Sequence, residues 1–77
     1  MPSPVPIGRF LRTFERYGIA IEVKGSHIKM RKVIGATTVH YVAVVHGKRV
    51  DAVYVKKARK AFGLLPEDGV SDEEFGL

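Results

Sequence analysis

The chain has 77 residues, enough for one small domain, and a domain of this size buries only about 60% of its unfolded surface. It contains no cysteine, which excludes disulfides and thiolate metal sites and favours a reducing compartment. Its first residues, Met-Pro-Ser-Pro-Val-Pro, have no apolar run, so we expect a soluble, cytoplasmic protein without a signal peptide or membrane span.

Charge divides the chain into a basic body and an acidic end. Residues 1–66 hold all 13 Lys and Arg against three carboxylates, a net charge of +10, whereas residues 67–77 hold the other five carboxylates and no cation. A small body this basic indicates a polyanionic partner, and nucleic acid is the commonest one. A solvated cationic surface without such a partner is the alternative.

The first helix is predicted to begin at residue 7. Residues 1–6 alternate proline with small residues and predict an extended, poorly ordered lead-in. From there apolar side chains recur at helical spacing, with arginines on the other side, and Gly18 provides a stop. The apolar positions are Ile7, Phe10, Leu11, Phe14 and Tyr17. They predict an amphipathic helix of about three turns whose aromatic stripe enters the core.

A hairpin is predicted next, centred on Gly25 and Ser26. Apolar and polar residues alternate on both sides of this pair, over residues 19–24 and 27–31. Glycine in the first position predicts a type II′ turn, because that position needs a positive φ. The turn would place His27 at the start of the second strand, on its polar face, with two cations following at period two.

A third strand and a second helix complete the pattern. The segment from Thr38 to His46 is almost entirely β-branched and apolar, which predicts a long strand after a turn at Gly35. Asp51 is a fair N-cap for a helix that runs to Phe62 and closes at Gly63. The packing stripe of this helix is predicted to hold Tyr54, Val55, Ala58, Ala61, Phe62 and Leu65, with Lys56, Lys57, Arg59 and Lys60 facing elsewhere.

The order of elements predicts an α+β fold of αβββα type, the order also found in the double-stranded-RNA-binding fold. Short connections make the three-stranded sheet antiparallel, and both helices are expected to cover its one apolar face. The domain is expected to span residues 7–66. Residues 67–77 form an acidic C-terminal tail with few apolar anchors, namely Val70, Phe75 and Leu77, and we expect it to be mobile or lightly docked.

His27 is the candidate catalytic residue. Imidazole is the side chain whose ordinary titration range lies nearest neutral pH, so a histidine beside bound phosphate can act as general base on a ribose 2′-hydroxyl. His46 is the candidate general acid for the leaving 5′-oxygen. A surface or structural histidine without a chemical role is the alternative for each. Nothing separates His40 from an ordinary strand histidine.

Cations supply the other half of the predicted site. Lys24, Lys29 and Arg31 are candidates to bind the scissile phosphate. The remaining RNA-binding candidates are Lys48, Arg49, Lys56, Lys57 and Lys60. Ser26 is interpreted as a turn residue rather than a nucleophile, because no carboxylate is placed to complete a triad. The histidines lack zinc-ligand spacing and the carboxylates are few, so we expect neither metal nor cofactor.

Gly25-Ser26-His27, in a hairpin after a short helix in a small basic chain, resembles the motif of the HicA-like toxins. These are small messenger-RNA-cleaving ribonucleases of bacterial toxin-antitoxin pairs. Residues 14–18 resemble the end of that family's first helix. His46-Gly47-Lys48 and the segment from Val55 to Leu64 resemble its later His-Gly-Lys element and closing helix. The resemblance covers residues 9–64.

The resemblance implies a metal-independent mRNA interferase with His27 as its catalytic histidine and Gly25 as its turn glycine. It also implies the double-stranded-RNA-binding-like fold and a HicB-like antitoxin as partner. The chain departs from the family where Val44-Val45 stands in place of a proline expected before His46, in a less polar hairpin after strand two, and in its acidic tail. These departures bear on the role of His46 and on the substrate.

Two functions from other classes also fit the residues. One is a non-catalytic RNA-binding module that contacts phosphates through Lys56, Lys57 and Lys60, since double-stranded-RNA-binding domains carry a lysine cluster on the second helix. The other is a small adaptor for an acidic protein.

Overall fold

The computed structural model describes residues 4–76 of the chain. In chain order the elements are β1 (Val5–Pro6), α1 (Ile7–Arg16), β2 (Ala20–Lys24), β3 (His27–Ile34), β4 (Thr37–His46), β5 (Arg49–Val50) and α2 (Ala52–Phe62), followed by two 3₁₀ turns at Pro66–Asp68 and Asp72–Phe75. The protein is therefore a small α+β fold with two helices. The predicted disorder of residues 1–3 and the predicted anchor Leu77 lie outside the described residues.

The sheet has five antiparallel strands, in the order β1-β5-β4-β3-β2, and not the predicted three. The two additional strands are β1 and β5, which contain two residues each and pair Val5 with Val50. Both valines are buried. Strands of two residues have no periodicity to detect. β1 in addition depends on a partner about 45 residues away in the chain. Val5 and Pro6 thus belong to the sheet rather than to a disordered lead-in.

Three two-residue hairpins fix how the long strands pair. The residues that close them are Lys24 with His27, Ile34 with Thr37, and His46 with Arg49. Each loop starts with a glycine at positive φ, which is 58° at Gly25. The prediction of a glycine-first turn at Gly25-Ser26 is confirmed. The third hairpin was expected only as a basic connection, and its second arm is β5.

Alternate strand positions separate a buried from an exposed side of the sheet. Ile28, Met30, Ala43, Val45 and Val50 are buried. They form one core cluster with the buried residues of the helices, which are Phe10 and Phe14 of α1 and Val55, Ala58 and Phe62 of α2. The phenylalanine rings of α1 lie 4.7 Å apart. A single cluster of this kind is what a chain too short for two cores requires.

The helix boundaries follow the sequence signals closely. Helix α1 ends at Arg16, and Gly18 has a φ of 79°. Helix α2 ends at Phe62, where Gly63 adopts the left-handed conformation and its amide closes the last turn. Asp51 occupies the N-cap position, but its side chain makes no capping hydrogen bond. Over residues 4–76, no helix combines the length and the apolar character needed to cross a membrane.

The acidic tail packs into the domain. Phe75 is 1% exposed and its ring lies 4.9 Å from that of Phe14. Val70 is buried as well. Thr13 and Arg9 of α1 donate hydrogen bonds to the carbonyls of Glu74 and Glu73, at 3.2 and 2.8 Å. The expectation of a mobile or lightly docked tail is therefore wrong for residues 70–75, since a buried aromatic ring outweighs the acidic composition around it.

Arg59 joins the tail to α2 and is 2% exposed, although the sequence placed it among the solvent-facing cations. Its guanidinium donates to the Leu64 carbonyl at 2.8 Å, to the Val70 carbonyl at 2.9 Å and to the Asp72 carboxylate at 2.6 Å. It also lies 4.6 Å from the centre of the Phe75 ring. Periodicity could not reveal this role, because its acceptors follow the helix in the chain.

We predict that Arg59→Met destabilises the fold by about 2–4 kcal/mol, because two buried carbonyls lose their donors. Lys60→Met is the matched control, since Lys60 is the next residue of α2 and is exposed. Urea unfolding measures both. Equal midpoints for the two variants would mean that Arg59 does not hold the tail.

We also predict that tail docking weakens in acid. Glu74 accepts hydrogen bonds from the Tyr17 hydroxyl and the Ser71 amide, and these lower the pKa of its carboxyl. A carboxyl with a lowered folded pKa stabilises the fold fully above its unfolded pKa, and this contribution is lost as pH falls through the folded pKa. Between about pH 6 and about pH 3, the wild type should therefore lose more stability than Glu74→Gln. An equal loss of stability in the wild type and in Glu74→Gln, measured by urea unfolding at each pH, would contradict this prediction.

Candidate nucleic-acid interface

The strand register places the polar side chains of the sheet on one surface, which we call the outer face. His27 pairs with Lys24 of β2 and Val44 of β4, and Arg31 pairs with His40 of β4. Cross-strand partners point to the same side of a sheet, and so do residues two apart along a strand. The outer face therefore carries Ala20, Glu22, Lys24, His27, Lys29, Arg31, His40, Val42, Val44, His46 and Arg49.

All three histidines share the outer face, which the sequence alone could not decide. His27, His40 and His46 are exposed, as are the cations around them. A register shifted by one residue would have turned one strand's histidines toward the core. The exposed position of His27 meets the first requirement for contact with a ligand.

His27 stands at the end of the sheet where two hairpin turns meet. Lys24 lies directly across from it on β2. His46 lies diagonally across on β4, a relation that corresponds to about 7–8 Å between backbone positions. The Val45 amide donates to the Ser26 carbonyl at 2.7 Å, which ties the first turn to β4. The register thus makes His27, Lys24 and His46 neighbours on the outer face, while the Lys24 ammonium contacts the Glu22 carboxylate at 3.1 Å.

The outer face is positively charged. Among residues 4–76, Glu22 is its one carboxylate, and it forms an ion pair with Lys24 at 3.1 Å. The hydrogen bond and charge of Lys24 lower the pKa of Glu22, and the charges of Lys29 and Arg31 lower it further. Within the same residues, neither Lys29 nor Arg31 has a carboxylate within ion-pair distance. These two cations are free to bind an external anion.

The cations predicted to bind one phosphate are spread along the face. Arg31 is four residues from His27 on β3, about 13 Å at 3.3 Å per residue. Lys24 is the cation closest to His27, because it lies directly across from it on β2. Lys29 follows His27 by two residues on β3. Arg31 borders a depression of about 370 Å³ that is also lined by Lys29 and His40. The outer face therefore has two centres, one at His27 and one at Arg31.

The other predicted RNA-binding residues divide into two groups. Lys48 and Arg49 are exposed at the β4–β5 turn, and Arg49 pairs with His46 on the outer face. Lys56, Lys57 and Lys60 are exposed on α2. The structure thus brings Arg49 to the histidines and leaves the three lysines on a separate element.

His40 is the residue of the outer face that sequence reasoning missed. Its spacing along β4 did not distinguish it. Its pairing with Arg31 on β3 is what makes it a candidate to contact a ligand. Gly25 and Ser26 form the turn before His27 as expected. Over residues 4–76, no three His, Cys, Asp or Glu side chains gather as a metal site would require.

Comparison of the chain with protein-family models, with curated proteins and with solved structures found no match in any of the three.

We predict that Gly25→Ala destabilises the protein by about 1–2 kcal/mol, the cost of a left-handed residue with a Cβ atom. The added methyl group meets nothing within 4 Å, so the cost is one of backbone conformation alone. Gly25→Asn should cost less, because asparagine tolerates this conformation better. Urea unfolding and amide exchange across the first hairpin report the effect.

Gly8→Ala is the matched control for this substitution. Gly8 lies within α1, its φ is not positive, and its added methyl group meets only the Arg12 guanidinium, at 4.0 Å, an ordinary contact. Replacing a helical glycine by alanine should stabilise the fold by about 0.5–1 kcal/mol. The same sign of effect at both positions would contradict the role assigned to Gly25.

Proposed function

We propose that this chain is a HicA-like toxin, a metal-independent endoribonuclease that cleaves messenger RNA in the cytoplasm. The observation that carries the proposal is the exposed position of His27 on a cationic face, with Lys24 opposite and His46 diagonally across. General base, phosphate-binding cation and general acid are the three groups that cleavage of RNA by its own 2′-hydroxyl needs.

In the proposed reaction His27 removes the proton from a ribose 2′-hydroxyl. The resulting oxygen attacks the adjacent phosphorus and the bond from phosphorus to the 5′-oxygen breaks, which leaves a 2′,3′-cyclic phosphate on one product. His46 gives a proton to the departing 5′-oxygen. Lys24 and Lys29 stabilise the negative charge that grows on the phosphate oxygens in the transition state. A positioned base of this kind is typically worth about 10²–10⁴ in rate.

We further propose the double-stranded-RNA-binding-like arrangement, in which both helices cover one face of the sheet. The single core cluster shared by α1, α2 and the buried strand positions supports it. In this arrangement β1 and β5 extend the αβββα pattern at one edge. The opposite, outer face is then left for RNA.

Where the family pattern would have a proline before His46, this chain uses a backbone amide as a hydrogen-bond donor. The Val45 amide donates to the Ser26 carbonyl, and a proline at that position could not make this bond. In this chain the bond links the turn that carries His27 to the strand that ends in His46. The departure from the family pattern is therefore compatible with a paired role for the two histidines.

The proposed partner is a HicB-like antitoxin that covers His27 and the cations of the outer face. A partner with a carboxylate-rich surface would match the unpaired charges of Lys29 and Arg31. Blocking access to His27 would silence cleavage without unfolding the toxin.

The decisive experiment compares the wild type with His27→Ala on a defined transcript, with chelator present. We expect cleavage to fall by about 10²–10⁴, while the unfolding midpoint and RNA affinity stay unchanged, because His27 is exposed. His46→Ala should give a smaller loss, since the leaving oxygen can also take a proton from water. Arg12→Ala, an exposed arginine of α1, is the control for charge.

Two results would contradict the proposal. Full activity in His27→Ala would place the active site elsewhere. A wild type that binds RNA without cutting it would favour the non-catalytic module, and loss of that binding in Lys56→Ala, Lys57→Ala and Lys60→Ala variants would then locate its contact surface on α2.

A further inference from the structure

The second centre of the outer face lies too far from His27 to act on the same phosphate. His27 and Arg31 are separated by about 13 Å along β3. Both point to the outer face, because they are an even number of residues apart. Lys29 lies midway between them. Lys29 and Arg31 thus place two cations on β3 about 6.6 Å apart, and His27 lies the same distance before Lys29.

Around Arg31, three neighbouring strands form a shallow depression. Arg31 pairs with Ala20 on β2 and with His40 on β4. The small side chain of Ala20 leaves space beside the guanidinium, and the depression has a volume of about 370 Å³. Arg31 and His40 both border it, so a planar fork of donors and an imidazole converge there.

The charge of this depression is not neutralised within the domain. Glu22 also borders it, but its carboxylate is engaged by Lys24 at 3.1 Å. Over residues 4–76, the other ion pair joins Arg59 to Asp72. Lys29 and Arg31 therefore line the depression as two cations that form no ion pair within these residues, opposed there by the single carboxylate of Glu22, whose ion-pair partner is Lys24.

We propose that Arg31 and His40, assisted by Lys29, form a phosphate subsite for single-stranded RNA. The bound phosphate lies two positions along the strand from the one cleaved at His27. A single strand can follow β3 because its phosphates repeat at a spacing close to that of alternate strand residues, and the guanidinium fork matches two phosphate oxygens. This inference rests on the proposal that RNA is the ligand of the outer face.

An exposed apolar position lies between the two centres. Val42 is 47% exposed and pairs with Lys29 on the outer face. His40 and Val44 flank it at period two on β4. A base or ribose can pack on this side chain while its phosphates bind the cations on β3. This contact would give Val42 a role in RNA binding, which an apolar side chain on a surface that contacts only water does not have.

The test uses 2′-O-methylated oligonucleotides, which bind but lack the hydroxyl needed for cleavage. A dinucleotide has one phosphate and can occupy only one centre at a time, whereas a hexanucleotide spans both. Backbone amide NMR signals of Lys24 and His27 report binding at the His27 centre, and those of Ala20 and Arg31 report binding at the subsite. Arg31→Ala should weaken hexanucleotide binding about tenfold and leave dinucleotide binding at the His27 centre unchanged, as measured by titration of the Lys24 and His27 amide signals. His40→Ala should weaken the hexanucleotide a few-fold by losing one hydrogen bond.

Salt dependence provides a second readout. Removing one phosphate contact to a single strand should reduce the slope of log K against log salt by about 0.7. Arg31→Ala should show this reduction. Arg12→Ala removes the same charge from an exposed position on α1 and should retain the full slope.

The subsite is overturned if Arg31→Ala behaves like Arg12→Ala on the hexanucleotide. It is equally overturned if Arg31→Ala weakens dinucleotide binding at the His27 centre by the same factor as hexanucleotide binding, because Arg31 would then act on the phosphate at His27. Failure of the nuclease proposal is seen separately, with an unmethylated hexanucleotide. If the wild type leaves it uncut while Arg31→Ala still lowers affinity for the methylated one, the subsite stands and the catalytic role of His27 falls.

Discussion

The register of β3 between β2 and β4 is the constraint on which the rest of the structure depends. Two glycine-first turns set it, at Gly25 and Gly35. Moving β3 by a single residue would bury Lys29 and Arg31 and expose Ile28 and Met30. The same register that closes the core therefore assembles the cations and histidines of the outer face. Fold and candidate site cannot be changed independently here.

The small size of the domain explains why its last residues enter the core. A chain of 77 residues has little apolar surface to bury, and Phe75 adds an aromatic ring to the cluster built on Phe10 and Phe14. Arg59 makes this possible because it satisfies the carbonyls of Leu64 and Val70, which would otherwise be buried without donors. The acidic side chains around Phe75 remain largely exposed.

Local signals in the sequence were sufficient for the helices, the three long strands and the turn before His27. Each depends on periodicity or on a glycine at a defined place, and both properties can be read within a few residues. Pairing between distant segments could not be read in this way. Strands β1 and β5, the burial of Arg59 and Phe75, and the pairing of Arg31 with His40 all depend on residues far apart in the chain or on a register that no single strand specifies. For the candidate site, residue type alone pointed to His27 and its cations, but the pairing of Arg31 with His40 and the depression beside them depend on the register of three strands.

The distribution of charge links the tail to the outer face. The hydrogen bonds and ion pair of the tail engage Arg9 and Arg59 on the helices and Tyr17 directly after α1. Its carboxylates therefore supply no counter-charge to Lys29 and Arg31, which lie on the sheet. A net charge of +5 for the whole chain understates the positive potential at the outer face, because most of the negative charge is placed elsewhere. Attraction of a polyanion depends on this local potential rather than on the sum. An acidic tail and a cationic binding surface can accordingly exist in one small domain.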